Sequence, residues 1–396
     1  MRNEKIYLCL AHMSGREQKF IQEAFDTNWV VPLGPNVNGF EADLSGFLGG
    51  RPVVALSAGT AAIHISLLHC GVSYGDEVIC QSFTFCATAN PIKYLGATPV
   101  FVDSEQDSWN MDPDLLETAI KNRIAKTGRK PKAIILVYLY GMPAKIDEIQ
   151  TIARRYEIPL IEDAAEALGS RFNGLACGTL GDYGILSFNG NKMITTSGGG
   201  ALVCPNEEVK KQVMFYATQA REPHPYYQHE KIGFNYRMSN ICAGIGRGQM
   251  TVLSDHIEHH RHTFELYREL LAGIDGVKLH SEPSGRYYSN YWLNAIELAP
   301  TLRIKGESFA YEGTPRSSCE PNANVEALRL IMNAEGIETR PLWKPLHLQP
   351  VFADCPKYEN GISESLFKTG LCLPSGPCVS DEDIRYIVNL IKTNIE

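Results

Sequence analysis

Short apolar runs alternate with helically spaced apolar positions over the first half of the chain. Val53–Leu56, Glu77–Cys80, Pro99–Asp103, Ala133–Leu139, Leu160–Asp163 and Tyr183–Phe188 read as strands, and Ala133–Leu139 is strongly β-branched. Thr60–Cys70, Asp112–Arg123 and Ile146–Tyr156 read as helices between them. Asp112-Pro113-Asp114 carries the capping aspartate and first-turn proline of a helix start. A helix around Arg16–Thr27 comes before the first strand, followed by the Pro- and Gly-rich loop VVPLGPNVNGF. Apolar strands alternating with helices predict an α/β fold, a largely parallel buried sheet with helices on both faces. Beyond Ser239 the alternation stops. Asn240–Ile274 predicts one long helix, with or without a kink, leading out of the sheet domain. The remainder is mixed, includes a polar segment around Gly313–Ser318, and closes with a helix over Asp381–Ile395 started by Ser380. This divides the chain into a large domain with an N-terminal segment (1–250) and a smaller C-terminal α+β domain (251–396) folding back over it.

Composition narrows the class. A chain of 396 residues exceeds one small core, which agrees with two domains. Hydrophobic content of 44% and charged content of 21% are ordinary for a globular enzyme. A net charge of −8 argues against a general nucleic-acid binder, so an anionic substrate would be met by a few local Arg and Lys residues. No apolar run reaches the length of a membrane span, and the start MRNEKIYLCLAH has too short an apolar core for a signal peptide. The 11 cysteines are odd in number and scattered, with no CxxC pair. That indicates neither a zinc ribbon nor a redox dithiol, and a reducing cytoplasm is the simplest setting.

The candidate chemistry centres on DYGILSFNGNKMITTSGGG, Asp182–Gly200. A buried strand ending at Ser187 would present Lys192 at its carboxyl end, where open α/β sheets place ligands. Gly198–Gly200 have no Cβ and let a second backbone segment pass close to a bound group. A partly desolvated amine there suits a Schiff base with an aldehyde cofactor. Taken alone, the stretch better fits a solvated lysine in a Gly-rich hairpin. PLIEDAAEALGS delivers Asp163 to another strand end, one helix or loop and a return strand upstream of Lys192. That carboxylate either holds the pyridine nitrogen of pyridoxal phosphate protonated or caps the next helix. Ser57–Ala61 joins a strand to a helix start, a ready anion site, and Phe85 could lie flat on an aromatic ring or belong to the core.

Three other features carry less. GIGRG (Gly244, Gly246, Gly248) follows no strand and lies in a helical pattern, so close helix packing is expected rather than a dinucleotide site. His256, His259, His260 and His262 have helical spacing but no accompanying carboxylate motif; a solvated helix face is expected and no metal site. Gly190-Asn191-Lys192 lacks the remaining residues of a P-loop.

Ser57–Ala61, SFTFCAT, Asp163 with Glu166, Ser187 with Lys192, SGGG and FNYRMSN together resemble the DegT/DnrJ/EryC1/StrS family of sugar aminotransferases, over nearly the whole chain. The resemblance implies a fold type I, aspartate-aminotransferase-like architecture, pyridoxal 5′-phosphate as cofactor and a homodimer. SFNGNKMITTSGGG, EDAAEALGS and ETRPLWKPLH resemble the branch serving bacillosamine-type sugars of protein glycosylation. The family more often has His where this chain has Asn189.

That branch moves the amino group of L-glutamate to C4 of a UDP-4-keto-6-deoxy-N-acetylhexosamine, by ping-pong kinetics. Carried over, the resemblance makes Lys192 the Schiff-base lysine and proton shuttle and Asp163 the partner of the pyridine nitrogen. Phe85 stacks on the ring, Glu166 packs near it, and Thr60, Ala61 and Ser187 hold the phosphate. Asn235 reaches the phosphate in the neighbouring subunit. Pro32, Leu33, Gly34, Arg237, Arg340, Trp343, Lys344 and His347 are candidates for the nucleotide-sugar pocket. The alternatives are a ketone at C3, a dTDP- or GDP-linked sugar, or a cofactor-binding regulatory protein that needs only the lysine.

Overall fold

Alternate residues of the central strands face opposite sides of one sheet, and both sides are buried. In the computed structural model, which describes residues 4–306 and 319–396, that sheet has eight strands. In chain order the elements begin α1 (Glu17–Asp26), α2 (Pro35–Phe47), β1 (Val53–Leu56), α3 (Gly59–His69), β2 (Glu77–Gln81), α4 (Asn90–Tyr94) and β3 (Thr98–Val102). They continue α5 (Pro113–Thr127), β4 (Ala133–Val137), α6 (Ile146–Tyr156), β5 (Leu160–Asp163), β6 (Arg171–Phe172), β7 (Leu175–Ala176), β8 (Tyr183–Ser187), β9 (Gly200–Val203) and α7 (Glu207–Ala217). Then come α8 (Asn240–Met250), α9 (Leu253–Leu271), β10 (Val277–Leu279), β11 (Tyr287–Tyr288) and β12 (Asn294–Leu298). The last are α10 (Ala323–Ala334), β13 (Arg340–Pro341), β14 (Lys357–Tyr358), α11 (Ile362–Thr369), β15 (Gly370–Leu373) and α12 (Asp381–Asn394).

The large sheet runs β1-β9-β8-β5-β4-β2-β3-β14, and every pairing is parallel except those made by β9. Val53, Ala55, Ile134, Leu136 and Leu186 face one core layer; Val54, Leu56, Ile135, Ile161 and Ile185 face the other. Each such side chain contributes roughly 1.5–3 kcal/mol on full burial, so the sheet is a stiff frame for whatever its edges carry. Its parallel strands end along one edge, which bears Asp163 and Ser187. Helix ends follow local rules: Asp112 accepts the Asp114 and Leu115 N–H groups at the start of α5, and Ser380 with Asp383 forms a capping box on α12.

A second, antiparallel sheet, β10-β12-β15-β13, packs Ile296, Leu371 and Leu373 against Leu266, Leu328 and Val388 in its own core. The C-terminal part is not confined to it, because β14 pairs in parallel with β3 at the edge of the large sheet. No helix of the described residues is long and apolar enough to cross a membrane.

Four expectations change. The stretch VVPLGPNVNGF is not all loop, because α2 begins at Pro35. Its first N–H groups, of Asn36 and Val37, are capped by Asn240 Oδ1 at 3.0 and 3.2 Å. The single helix over 240–274 is two, interrupted at Thr251 and Val252, where the Thr251 hydroxyl bonds back to the Gly248 carbonyl at 2.6 Å. The α9 histidines do not form a solvated face. His256 and His260 are buried against the carbonyls of Met193 and Tyr291, each at 3.1 Å, and only His262 is exposed, paired with Asp381 at 2.9 Å. The last helix ends at Asn394. The segment Gly313–Ser318 lies outside the described residues. The glycines of GIGRG face α1 and α2: a Cβ on Gly246 would lie 2.7 Å from the Phe40 ring, and one on Gly248 2.7 Å from the Glu17 backbone.

Candidate active site

The ends of β5 and β8 open into a cavity of about 1100 Å³. Its floor is formed by Ser57–Thr60, Thr88, Asp163, Glu166, Ser187 and Lys192, and Phe85, Arg340, Trp343 and Lys344 stand around it. Lys192 lies beyond the strand end, in the turn between β8 and β9, where its N–H donates to the Asn189 carbonyl at 2.9 Å. Its Nζ is 3.0 Å from Glu166 Oε1 and 3.9 Å from the centroid of the Trp292 ring.

Two buried carboxylates flank this amine. Burial pushes the Asp163 carboxyl up, while the Thr88 hydroxyl, the Ala165 N–H and the Lys192 charge hold it down. Thr88 donates to Asp163 Oδ2 at 2.7 Å, and among the described residues no Lys or Arg forms an ion pair with Asp163. Glu166 is also raised by burial and held down by Lys192; the Tyr140 N–H donates to its Oε2 at 2.7 Å. Tyr140 has a φ of 54°, the left-handed region that a bulky residue occupies only when its surroundings enforce it.

The opposite wall is the start of α3. Its helical ladder opens with the Ala62 N–H donating to the Ala58 carbonyl, which leaves the N–H groups of Gly59, Thr60 and Ala61 without acceptors in the helix. Such a terminus favours an anion, and Thr60 and Ser187 add hydroxyls beside it. The triple glycine acts unevenly. A Cβ on Gly200 would collide with the Gly59 nitrogen and one on Gly199 with Thr196 and Met238, whereas Gly198 has open space.

The structure brings Lys192, Asp163, Glu166, Thr60, Ser187, Phe85, Arg340, Trp343 and Lys344 to one cavity. Ala61 is buried in the first turn of α3 and does not itself line the cavity. Phe85 is 57% exposed, its ring 5.6 Å from that of Trp343. Other expected residues do not line the cavity in this chain. Arg237 is bound to Glu41 Oε1 at 2.5 Å and to the Ala55 carbonyl at 2.9 Å, so its charge is already used inside the fold. His347 is buried with Nδ1 2.6 Å from the Ser82 hydroxyl. Pro32 and Leu33 are on an exposed loop, Gly34 packs on Asn240, and Asn235 is exposed beside its bridge to Thr218. Sequence reasoning passed over Thr88, although it lies in SFTFCAT, and gave no sign of Trp292. It also missed the N-terminal strap: Lys5, Tyr7 and Cys9 line the cavity, and the Ile6–Ile337 bridge and the Leu8 N–H to Glu338 hold the strap in place.

The profile of the DegT/DnrJ/EryC1/StrS aminotransferase family matches residues 12–392. The chain belongs to that family. It is 46% identical to the EpsN protein of Bacillus subtilis strain 168 over 393 residues, covering 98% of this chain and 95% of that one. It is 34% identical over 380 residues to the GDP-perosamine synthase of Escherichia coli O157:H7, covering 96% and 95%. A solved DegT DnrJ EryC1 StrS aminotransferase from Brucella abortus superposes with a TM-score of 0.85 at 30% identity, over 96% of this chain and 95% of that one.

The architecture is therefore fold type I, and the protein is a pyridoxal 5′-phosphate-dependent sugar aminotransferase. The residues present fit the cofactor. An amine, a buried carboxylate that no Lys or Arg pairs with among the described residues, and a helix start ready for an anion surround one cavity.

Proposed function

We propose that this aminotransferase moves the amino group of L-glutamate to C4 of a UDP-4-keto-6-deoxy-N-acetylhexosamine, leaving 2-oxoglutarate and a UDP-4-amino-4,6-dideoxy sugar. The observation that carries the transfer chemistry is the position of Lys192 Nζ, 3.0 Å from Glu166 in the cavity that Asp163 also lines. The choice of sugar is supported by SFNGNKMITTSGGG, EDAAEALGS and ETRPLWKPLH, which resemble the bacillosamine branch serving protein glycosylation.

Pyridoxal phosphate, when bound, supplies a carbonyl carbon to which amines add and a ring that takes up the electron pair left when a carbon loses its proton. The chain supplies the rest. Lys192 would hold the cofactor through Nζ, and the same amine would serve as the general base for the α-carbon proton of glutamate. The same Nζ returns a proton to the carbon that becomes aminated on the sugar, so one amine serves both halves. Asp163 would keep the proton on the pyridine nitrogen, Phe85 would pack on the ring, and Glu166 would orient the lysine. Thr60, Ala61 and Ser187 would hold the phosphate. Residues 1–250 thus carry the cofactor, and residues 251–396 bring Arg340, Trp343 and Lys344 over it for the nucleotide sugar.

A second copy of the chain is part of this reading. Asn235 is exposed and would reach the phosphate of the neighbouring subunit, and the loop Pro32–Gly34 would help shape the shared mouth. Phe25, Trp29, Val30, Val31 and Leu33 are exposed along one stretch, as a surface covered by a partner would be. The free state of all 11 cysteines suits the cytoplasm.

A GDP-linked sugar is the second reading, favoured by the similarity to GDP-perosamine synthase. Incubation with L-glutamate alone should convert the cofactor spectrum to the aminated form. A panel of UDP-, GDP- and dTDP-linked 3- and 4-keto sugars, with the product read by NMR, then selects the acceptor. An unchanged spectrum overturns the transfer, and amination of only a GDP- or dTDP-sugar, or only at C3, overturns the acceptor.

A further inference from the structure

We propose that Trp292 is a positioning residue for Lys192: its indole face holds the ε-ammonium, and its N–H fixes the backbone from which that side chain springs. The inference rests on Lys192 being the lysine that binds the cofactor.

The Lys192 side chain is only 13% exposed, so little water remains around its charge. Two groups stand in for that water. Glu166 Oε1 is 3.0 Å from Nζ, and the Trp292 ring lies beneath it with the centroid at 3.9 Å. The negative face of an indole is the best aromatic seat for an ammonium. The same indole donates its Nε1–H to the carbonyl of Asn191 at 2.6 Å, the residue just before the lysine.

Trp292 is itself fixed by its neighbours. Its N–H donates to Asn290 Oδ1 at 2.9 Å, and Asn290 Nδ2 donates to the carbonyls of Glu166 and Leu168 at 2.8 and 3.0 Å. Asn290 and Trp292, the outer two of three consecutive residues, therefore grip the backbone of Glu166 and the backbone beside Lys192. The middle one, Tyr291, has a φ of 48° and is buried, a conformation that persists only where packing over-determines it.

The functional consequence is geometric. A lysine side chain has about 2 kcal/mol of rotamer entropy to lose, and an amine displaced from the cofactor is free to swing away. Seated between a carboxylate and an indole face, Nζ stays within reach of the carbon with which it exchanges a proton. Trp292 acts through the lysine.

The test measures amine reactivity apart from turnover. The full-length chain, freed of cofactor, is labelled with trace acetic anhydride at fixed pH. Lys192 is quantified by mass spectrometry against Lys121, whose side chain is 63% exposed. Trp292→Leu should raise the relative labelling of Lys192 about two- to thirtyfold, the range for losing a cation–π contact, and Trp292→Phe, which keeps a ring face, should recover most of the protection. If the leucine variant does not fold, Trp292→Met gives the same comparison. In the loaded enzyme, kcat of the glutamate half-reaction should fall while KM for glutamate stays within twofold, by roughly the scatter of distant sites. Equal labelling of Lys192 in wild type and the folded leucine or methionine variant overturns the proposal, as does labelling of the phenylalanine variant as fast as theirs. Borohydride fixing the cofactor to another lysine would instead sink the assignment of Lys192, a separate outcome.

Discussion

The Thr88 hydroxyl donates to Asp163 Oδ2 at 2.7 Å and lies 2.8 Å from the Thr84 hydroxyl, so a strand-end carboxylate is oriented by a neighbouring short helical turn. This bond favours the ionised carboxyl against the burial that raises it. Asp163→Asn should therefore reduce kcat by about a hundredfold or more, the scale of losing one preorganised electrostatic group. Thr88→Val should cost about tenfold in kcat/KM, through about 1–2 kcal/mol of lost orientation. Steady-state kinetics and the cofactor's absorbance against pH check both; an unchanged rate in Asp163→Asn removes its role.

Lys192 carries the second prediction. Lys192→Ala should bind cofactor without any borohydride-stable attachment to the chain, and it should lose both half-reactions together. Mass spectrometry of the reduced protein gives the answer, and a retained adduct would point to another lysine.

Gly200 tests the phosphate site by sterics alone. A Cβ there collides with the Gly59 nitrogen, so Gly200→Ala must displace either β9 or the first turn of α3. Cofactor affinity is expected to fall about tenfold or more, with about 1–3 kcal/mol of lost stability from overpacking. Gly198→Ala, where space is open, is the control and should leave cofactor affinity within twofold, by roughly the ordinary surface-substitution limit.

These positions show what the sequence made legible. β1 to β5 and β8 were readable because both faces of the sheet are buried, which turns each strand into an apolar run. Lys192 and Asp163 followed, since they stand at or just past strand ends, whereas Glu166 came only with the family resemblance. α2 was not readable, because its cap is Asn240, contributed by α8. His260 looked solvent-facing because helical spacing carries no information on what packs against the polar side of α9. Trp292 and the strap at Lys5–Leu10 reach the cavity only through tertiary contacts of the second sheet, and no local signal marks them.

His260 and His280 give the pH prediction. Burial drives both down from 6.5 to about 3, so both are neutral in the folded chain. Their folded values lie below the unfolded value, so the unfolded chain binds more protons below 6.5. Their stabilising effect is complete above that pH and is lost as pH falls toward 3. Stability should drop by up to about 1.4 kcal/mol per pH unit for each histidine. Urea unfolding at pH 7.5 and 5.5, by roughly the window in which histidine rather than carboxylate titrates, measures it. Equal midpoints would contradict neutral burial.

Glu41 supports the frame beneath the site. It accepts the Ala55 N–H at 2.9 Å and Arg237 at 2.5 Å, and Lys210 lies 3.7 Å from its other oxygen. Glu41→Ala would leave the Arg237 guanidinium buried without its carboxylate and should cost about 3–5 kcal/mol. Thermal unfolding checks this, and a loss under about 1 kcal/mol would show the pair to be solvated as surface pairs are.

The two-residue strand β14 has a wider implication. By hydrogen-bonding to β3 it laces the later part of the chain into the margin of the earlier part, which leaves no clean place to cut. A chain truncated after α9 would bare the flank of β3 and invite self-association through that open edge. Heating the intact protein should accordingly melt it in one step, and any opening that admits a sugar is better sought in the N-terminal strap than in a swing of the whole C-terminal portion.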